Sequence, residues 1–186
     1  MINENSTKAE VLEAVKQYGL NLLHASEELK GDRDVVMAAV KQNGLALDYA
    51  SEALQNDRDI VMAAVKQYGR ALQYASEELK GDREVVLAAV EEWGSAFCYA
   101  SEELQGDRDV VLAAVEQRGS ALRYASEELR ADREIVRAAV TQSIHAWRFV
   151  SEQVRIEIHP GPTEPPKGVD IALLHLKQVL EDKEDD

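Results

Sequence analysis

The chain repeats itself every 25 residues. The segment YASEELKGDR begins at Tyr74, and close variants begin at Tyr49, Tyr99 and Tyr124. Six copies follow one another without an insertion, near 7–31, 32–56, 57–81, 82–106, 107–131 and 132–156. Aligned copies give columns: Ser26, Ser51, Ser76, Ser101, Ser126 and Ser151; beside them Glu27, Glu52, Glu77, Glu102, Glu127 and Glu152. A further column holds Gly19, Gly44, Gly69, Gly94 and Gly119, broken by Ile144. A unit this short cannot bury its own apolar face. Stacked neighbours must supply the core, so the period alone calls for a repeat architecture.

Each copy reads as helix, turn, short helix, turn. In the fourth copy Asp82 suits an N-cap and Glu84 the positive end of the helix dipole. Val85, Val86, Ala89 and Val90 form one apolar stripe, and Val86 and Val111 are expected inside. Gly94 is expected to end the helix in a left-handed conformation. A second short helix would carry Ala96, Phe97, Tyr99 and Ala100. Ser101 would then cap a final turn, Glu102-Glu103-Leu104, of 3₁₀ type. Small residues at Ala38, Ala63, Ala88, Ala113 and Ala138, and in the adjacent Ala39 series, allow close packing. The fold class is therefore all-α: a solenoid of about six 25-residue repeats of undetermined hand, closed by a C-terminal capping helix.

The ends differ from the middle. Glu10 stands where later copies have Val35, Ile60, Val85, Val110 and Ile135, and Glu13 stands where they have alanine. Arg137 replaces the Leu12, Met37, Met62, Leu87, Leu112 series. Polar terminal faces suit a capped stack, so the repeat domain is placed at 1–158. VRIEIH (154–159) alternates apolar and polar residues and suggests an extended, strand-like segment. Residues 159–168 read as a proline-rich linker, 169–182 as a last helix folding back as a lid, and 183–186 as an acidic tail.

The unit D-R-E-V-V-L-A-A-V followed by G-S-A-L-x-Y-A-S-E-E-L resembles the repeat of the domain of unknown function 4116 family. The resemblance covers about residues 7–156, and is best at 57–81 and 82–106. The first copy lacks the Asp-Arg pair and the sixth lacks the glycine. It implies a helical repeat array and no established activity, cofactor or catalytic residue. A second likeness, to variant leucine-rich repeats, rests on the valine stripe, the late leucine and the opening aspartate.

A net charge of −14 makes nucleic-acid phosphate and anionic lipid poor partners and favours a basic protein or peptide. The charge also simply keeps a repeat protein in solution. Cys98 is the one cysteine, so no intrachain disulfide forms. The N-terminal stretch lacks a Sec-type signal, and no 18-residue apolar run is present. A cytoplasmic protein is expected, with non-Sec export left open. A monomer is favoured, the alternative being a homodimer through residues 169–182.

The residue types that suggest chemistry have structural readings. The Ser-Glu column recurs six times, whereas an active site is needed once; serine caps and glutamate opens a helix. The pairs at Asp32-Arg33, Asp57-Arg58, Asp82-Arg83, Asp107-Arg108 and Asp132-Arg133 read as ion-pair ladders between neighbouring copies, not as an anion site. The column His24, Tyr49, Tyr74, Tyr99, Tyr124, Phe149 reads as buried rings. His24, His145, His159 and His175 show no zinc-ligand spacing. No metal, no cofactor and no catalytic residue is expected.

The columns that vary are the informative ones. One reads Tyr18, Asn43, Tyr68, Trp93, Arg118, Ser143. Another reads Leu20, Leu45, Arg70, Ser95, Ser120, His145. A third reads Leu23, Asp48, Gln73, Cys98, Arg123, Arg148. Tyrosine, tryptophan and arginine anchor many interfaces, so Tyr18, Tyr68, Trp93, Arg70, Arg118, Arg123 and Arg148 are the candidate partner-binding residues. The competing reading is drift at unconstrained solvent sites. The function expected is a non-catalytic scaffold that binds a protein or peptide. One alternative is a self-assembling element docking through the C-terminal helix. A remote one is an enzyme with a pocket where Cys98, His145 or His175 meets that helix.

Overall fold

A computed structural model describes residues 2–158. The chain divides into two compact units, one ending at Ser101 and the other beginning at Glu102. The described residues are helical and contain no strand. Copies one to four build the first unit, up to the serine of the fourth copy; the rest of the array builds the second.

Every copy opens with a ten-residue α-helix: Lys8–Gln17, Arg33–Gln42, Arg58–Gln67, Arg83–Glu92, Arg108–Gln117 and Arg133–Gln142. The caps explain where they start. The Asp82 carboxylate accepts from the backbone N–H of Glu84 and Val85, both at 3.0 Å. Asp32, Asp57, Asp107 and Asp132 cap their helices too. Thr7 does this in the first copy, with Glu10 completing a capping box. Val85, Val86, Ala89 and Val90 are buried, as are their equivalents in copies two, three, five and six, so the valine stripe faces the interior as expected.

The helices do not end on glycine. The C-cap residue is the one before it, in extended backbone with φ between −149° and −157°. The glycine column then opens a six-residue 3₁₀ helix, such as Gly69–Tyr74. A period of three explains that choice. Gly69, Leu72 and Ala75 are all buried, and three residues per turn keeps them on one edge. The last turn, as at Glu77–Lys80, is α-helical. The 3₁₀ type expected for the last turn is therefore found instead in the short segment before it. In the fifth copy this last segment is a turn.

What glycine supplies is proximity. A Cβ at Gly19, Gly44, Gly69 or Gly119 would lie 2.2–2.5 Å from the carbonyl oxygen of Ala39, Ala64, Ala89 or Ala139 in the next copy's helix. Backbone cannot yield to such a contact. Ile144 breaks the column in the sixth copy, after which no further copy follows. Glycine is thus required where another copy must pack behind.

Within the first unit the long helices stack side by side, and so do the 3₁₀ helices; the two copies of the second unit do the same. The seam is also hydrogen-bonded. The Ser51 N–H donates to Lys30 O at 3.0 Å, Ser76 to Gln55 O at 3.0 Å and Ser101 to Lys80 O at 2.9 Å. In the second unit Ser126 donates to Gln105 O and Ser151 to Arg130 O. These bonds satisfy carbonyls that a one-turn helix leaves open.

Glu10, Glu13 and Arg137 are exposed, in keeping with polar terminal faces. A surface depression lies over the first helix, lined by Ile2, Ser6, Ala9, Glu10 and Glu13. Residues 154–158 are not strand-like: Glu152–Ile158 is an α-helix, opened by Ser151, whose Oγ accepts from Val154 N–H at 3.4 Å. Alternation over a few residues was outweighed by the cap, and by burial of Val154 one turn on. The linker, capping helix and acidic tail expected at 159–168, 169–182 and 183–186 lie outside the described residues, as do His159 and His175.

Candidate partner-binding surfaces

A binding face can only use side chains that the stack does not. Most charged residues of the long-helix start are engaged. Arg33 binds Asp57 at 3.0 Å and Asp59 at 2.8 Å; Arg58 binds Asp82 at 2.8 Å and also Glu84. Lys8 takes the arginine's place in the first copy, 2.7 Å from Asp32 and 3.0 Å from Asp34. In the second unit Arg108 binds Asp132 and Glu134. Each is an ion-pair ladder between adjacent copies, as the sequence suggested. The pairing holds the Asp82 carboxyl below its ordinary range through Arg58, and that of Asp32 through Lys8. Burial pulls Asp57 the other way, but Arg33 and the capped N–H groups outweigh it.

In the first unit the helix-end column separates into unequal members. Tyr18 and Tyr68 are 54% and 46% exposed. Asn43 lies between them in the repeat order and caps the next segment, its Oδ1 accepting from Leu45 N–H at 3.0 Å. Trp93 is half-buried, with its Cβ packed closely against Gly69, 3.0 Å from where a Cβ there would sit. Lys16, Lys41 and Lys66, all exposed, run two residues ahead of this column. Of the aromatic candidates in this column, Tyr18 and Tyr68 are therefore exposed, while Trp93 is partly absorbed by packing.

Beside that edge, the 3₁₀ segments carry Arg70, which is exposed, and the ring column, whose His24 is exposed and whose Tyr49, Tyr74 and Tyr99 are half-buried rather than fully interior. The Tyr99 hydroxyl donates to Gln73 Oε1 at 3.3 Å. Burial, then the Asp48 charge, pushes the Tyr74 hydroxyl up, while Arg70 opposes the shift. Cys98 is half-buried.

In the second unit Arg118, Arg123, His145 and Arg148 are all exposed on the 3₁₀ segments Gly119–Tyr124 and Ile144–Phe149 or the residue before them. Arg118 Nε donates to Ser120 Oγ at 3.2 Å. The Arg123 guanidinium lies over the Tyr124 ring, 4.7 Å from its centroid, and 5.8 Å from that of Phe149. Residues three apart on a 3₁₀ helix share a face, which sets Ser120 with Arg123 and His145 with Arg148.

One set of inter-copy contacts was not anticipated. Gln42 Oε1 accepts from Gly19 N–H at 2.5 Å, and Gln42 Nε2 donates to Gln17 O at 3.4 Å. Gln142 clasps Gly119 and Gln117 in the same way, at 2.6 and 3.3 Å. The signal was available as a glutamine column broken by Glu92. Its meaning depends on the helix end being beside the next copy, which only coordinates show.

Capped ten-residue helices, 3₁₀ segments and inter-copy ladders define an all-α tandem-repeat protein, each unit a short solenoid-type stack. Matches to the family described as "Domain of unknown function (DUF4116)" fall at residues 11–55, 32–80, 57–105 and 107–155, each spanning about two copies. Together they cover more than half of the chain, and the chain belongs to that family. Comparison with curated proteins and with solved structures finds no match. No helix among the described residues is long and apolar enough to cross a membrane.

Proposed function

We propose that this protein is a non-catalytic scaffold whose variable columns bind a protein or peptide. The observation that supports it most is the exposure of Tyr18 and Tyr68 on one column of a unit whose framework side chains are otherwise engaged. A tyrosine half out of water offers large, rigid contact area with one polar tip, at low entropic cost. Drift alone would more readily fill such positions with lysine or glutamate, which stay solvated. The long-helix starts cannot serve, because their arginines hold the stack. Repeated Ser-Glu pairs cannot form a single active site, and their serines are used as caps, as at Ser26 and Ser76.

Affinity capture from native lysate, comparing the wild-type chain with a Tyr18→Ala/Tyr68→Ala variant, tests the reading. A partner retained by the first and lost by the second is expected. Equal capture by both rejects this column as the interface. The net charge of −14 favours basic surfaces as partners at long range, and such capture weakens with salt.

A further inference from the structure

We infer that the 3₁₀ face of the second unit is a docking site for a carboxylate-rich peptide segment of a partner protein. This deepens the scaffold reading and rests on it, but uses a different surface from the tyrosine column. The first ground is local charge. The chain carries 35 acidic residues against 21 lysines and arginines. Yet residues 117–126 and 141–151 contain no aspartate or glutamate, and hold Arg118, Arg123, Arg148 and His145. The equivalent stretches 17–26, 67–76 and 93–101 lack carboxylates too but hold only His24 and Arg70 between them, so the three arginines and one histidine gathered here make a cationic island.

The second ground is how these cations differ from the arginines of the long-helix starts. Arg33, Arg58 and Arg108 each face two carboxylates of the neighbouring copy. Among the described residues Arg123 and Arg148 face none. Arg123 is instead spread over the Tyr124 and Phe149 rings. Stacking holds a guanidinium's plane and leaves its N–H edge free to meet a carboxylate in the bidentate geometry. The ion-pair ladder thus stays at the helix starts, and this face presents Arg123 and Arg148 with no carboxylate partner among the described residues.

The third ground is extent. Glu116, Glu127, Glu128 and Glu152 flank the two stretches in sequence and are exposed. A long polyphosphate strand would meet them, whereas a peptide with a few acidic side chains fits within the island. The half-buried Tyr124 and Phe149 rings give such a peptide an apolar contact as well. The partner recognised here has the sign opposite to the one that the net charge favours.

The test uses the full chain and fluorescence anisotropy of a labelled peptide alternating glutamate and leucine. A lysine–leucine peptide of equal length and a short single-stranded DNA serve as comparisons. The glutamate peptide is expected to bind at least about tenfold tighter than the lysine peptide, and to weaken with salt. Arg123→Gln/Arg148→Gln should reduce its affinity by about tenfold or more, and Arg123→Lys, which keeps charge but not the planar fork, by a smaller factor. Tyr18→Ala/Tyr68→Ala should leave it unchanged, so failure of the tyrosine column and failure of this face read out separately. All substituted residues are exposed, and an unchanged melting temperature confirms that each variant folds. Absence of binding, equal binding of the lysine peptide, or full affinity in Arg123→Gln/Arg148→Gln overturns the proposal. Preferential binding of the DNA overturns the peptide assignment in favour of a phosphate-reading face.

Discussion

The two units share a framework and differ in what they show to solvent. Asp57 and Asp132 cap long helices in the first and second unit, and Gly44 and Gly119 admit the next copy's backbone in each. On the surface, the first unit presents Tyr18 and Tyr68 with a lysine at the second-last position of each of its first three long helices, while the second presents Arg118, Arg123 and Arg148. Positions that hold neighbours together are repeated because the same contact must be made at every junction. Positions outside that framework are free to take a different chemistry in each copy, and the exposed ones include tyrosines in the first unit and are mostly arginines in the second.

If the framework is truly common, breaking it should cost the same in both units. Gly44→Ala and Gly119→Ala are expected to give the largest effect, each losing about 3 kcal/mol or more in urea unfolding, because the obstructing atom is backbone. Gly81→Ala is the control. Its Cβ would come no closer than 3.3 Å, φ is −95°, and the fifth copy already has Ala131 there. It should be neutral, or stabilising by up to about 1 kcal/mol. Unequal losses at Gly44 and Gly119 would mean that the two stacks are not equivalent.

Acid comes next. The carboxyls of Asp32 and Asp82 are held below their ordinary range in the fold, so the unfolded chain binds protons more readily. Their stabilisation is complete above the ordinary aspartate range, about pH 4, and is lost as pH falls through the lower folded values. Melting temperature should drop below that point, and Asp82→Asn should flatten the slope there. A slope unchanged in Asp82→Asn would remove Arg58–Asp82 from the account.

Smaller effects sharpen the comparison further. Arg58→Ala in the first unit and Arg108→Ala in the second should each lower the melting temperature only slightly and to the same extent, the loss shrinking in high salt, because both guanidinium groups are about half exposed. Glu92→Gln should gain a few tenths to about 1 kcal/mol by restoring a donor toward Gln67 O, as Gln42 provides toward Gln17 O. A loss of stability in Glu92→Gln would mean that the fourth copy makes that junction differently.

Much of this was legible in the residues themselves. A 25-residue period announced the stack, the valine stripe announced its interior, and alternating Asp-Arg pairs announced the ladder, because each needs only spacing and charge. The kind of short helix was not read correctly. A period of three is present at Gly69, Leu72 and Ala75, but six residues are too few to separate it from a period of about 3.6. Glycine was expected to supply a left-handed backbone, its commonest use at helix ends, whereas here it supplies closeness, which depends on a neighbour the local sequence does not contain. The tyrosine column was expected to be interior and is half-buried, since a ring on a stacked surface covers its neighbour while its edge stays wet. Of the candidate residues, Tyr18, Tyr68, Arg70, Arg118, Arg123 and Arg148 are exposed and Trp93 is half-buried; what the sequence could not convey is that Arg123 is stacked on aromatic rings.

The ladder has one more implication. Arg33 reaches residues 24 and 26 positions ahead, Asp57 and Asp59, and Arg58 does likewise with Asp82 and Glu84. Excising residues 57–81 would set Asp82 and Glu84 at those same two offsets from Arg33, and would place Gly44 against Ala89. The seam would close on itself with nothing missing but one rung. Reach, for a molecule made this way, can be lengthened or shortened by whole steps without renegotiating any of its joints.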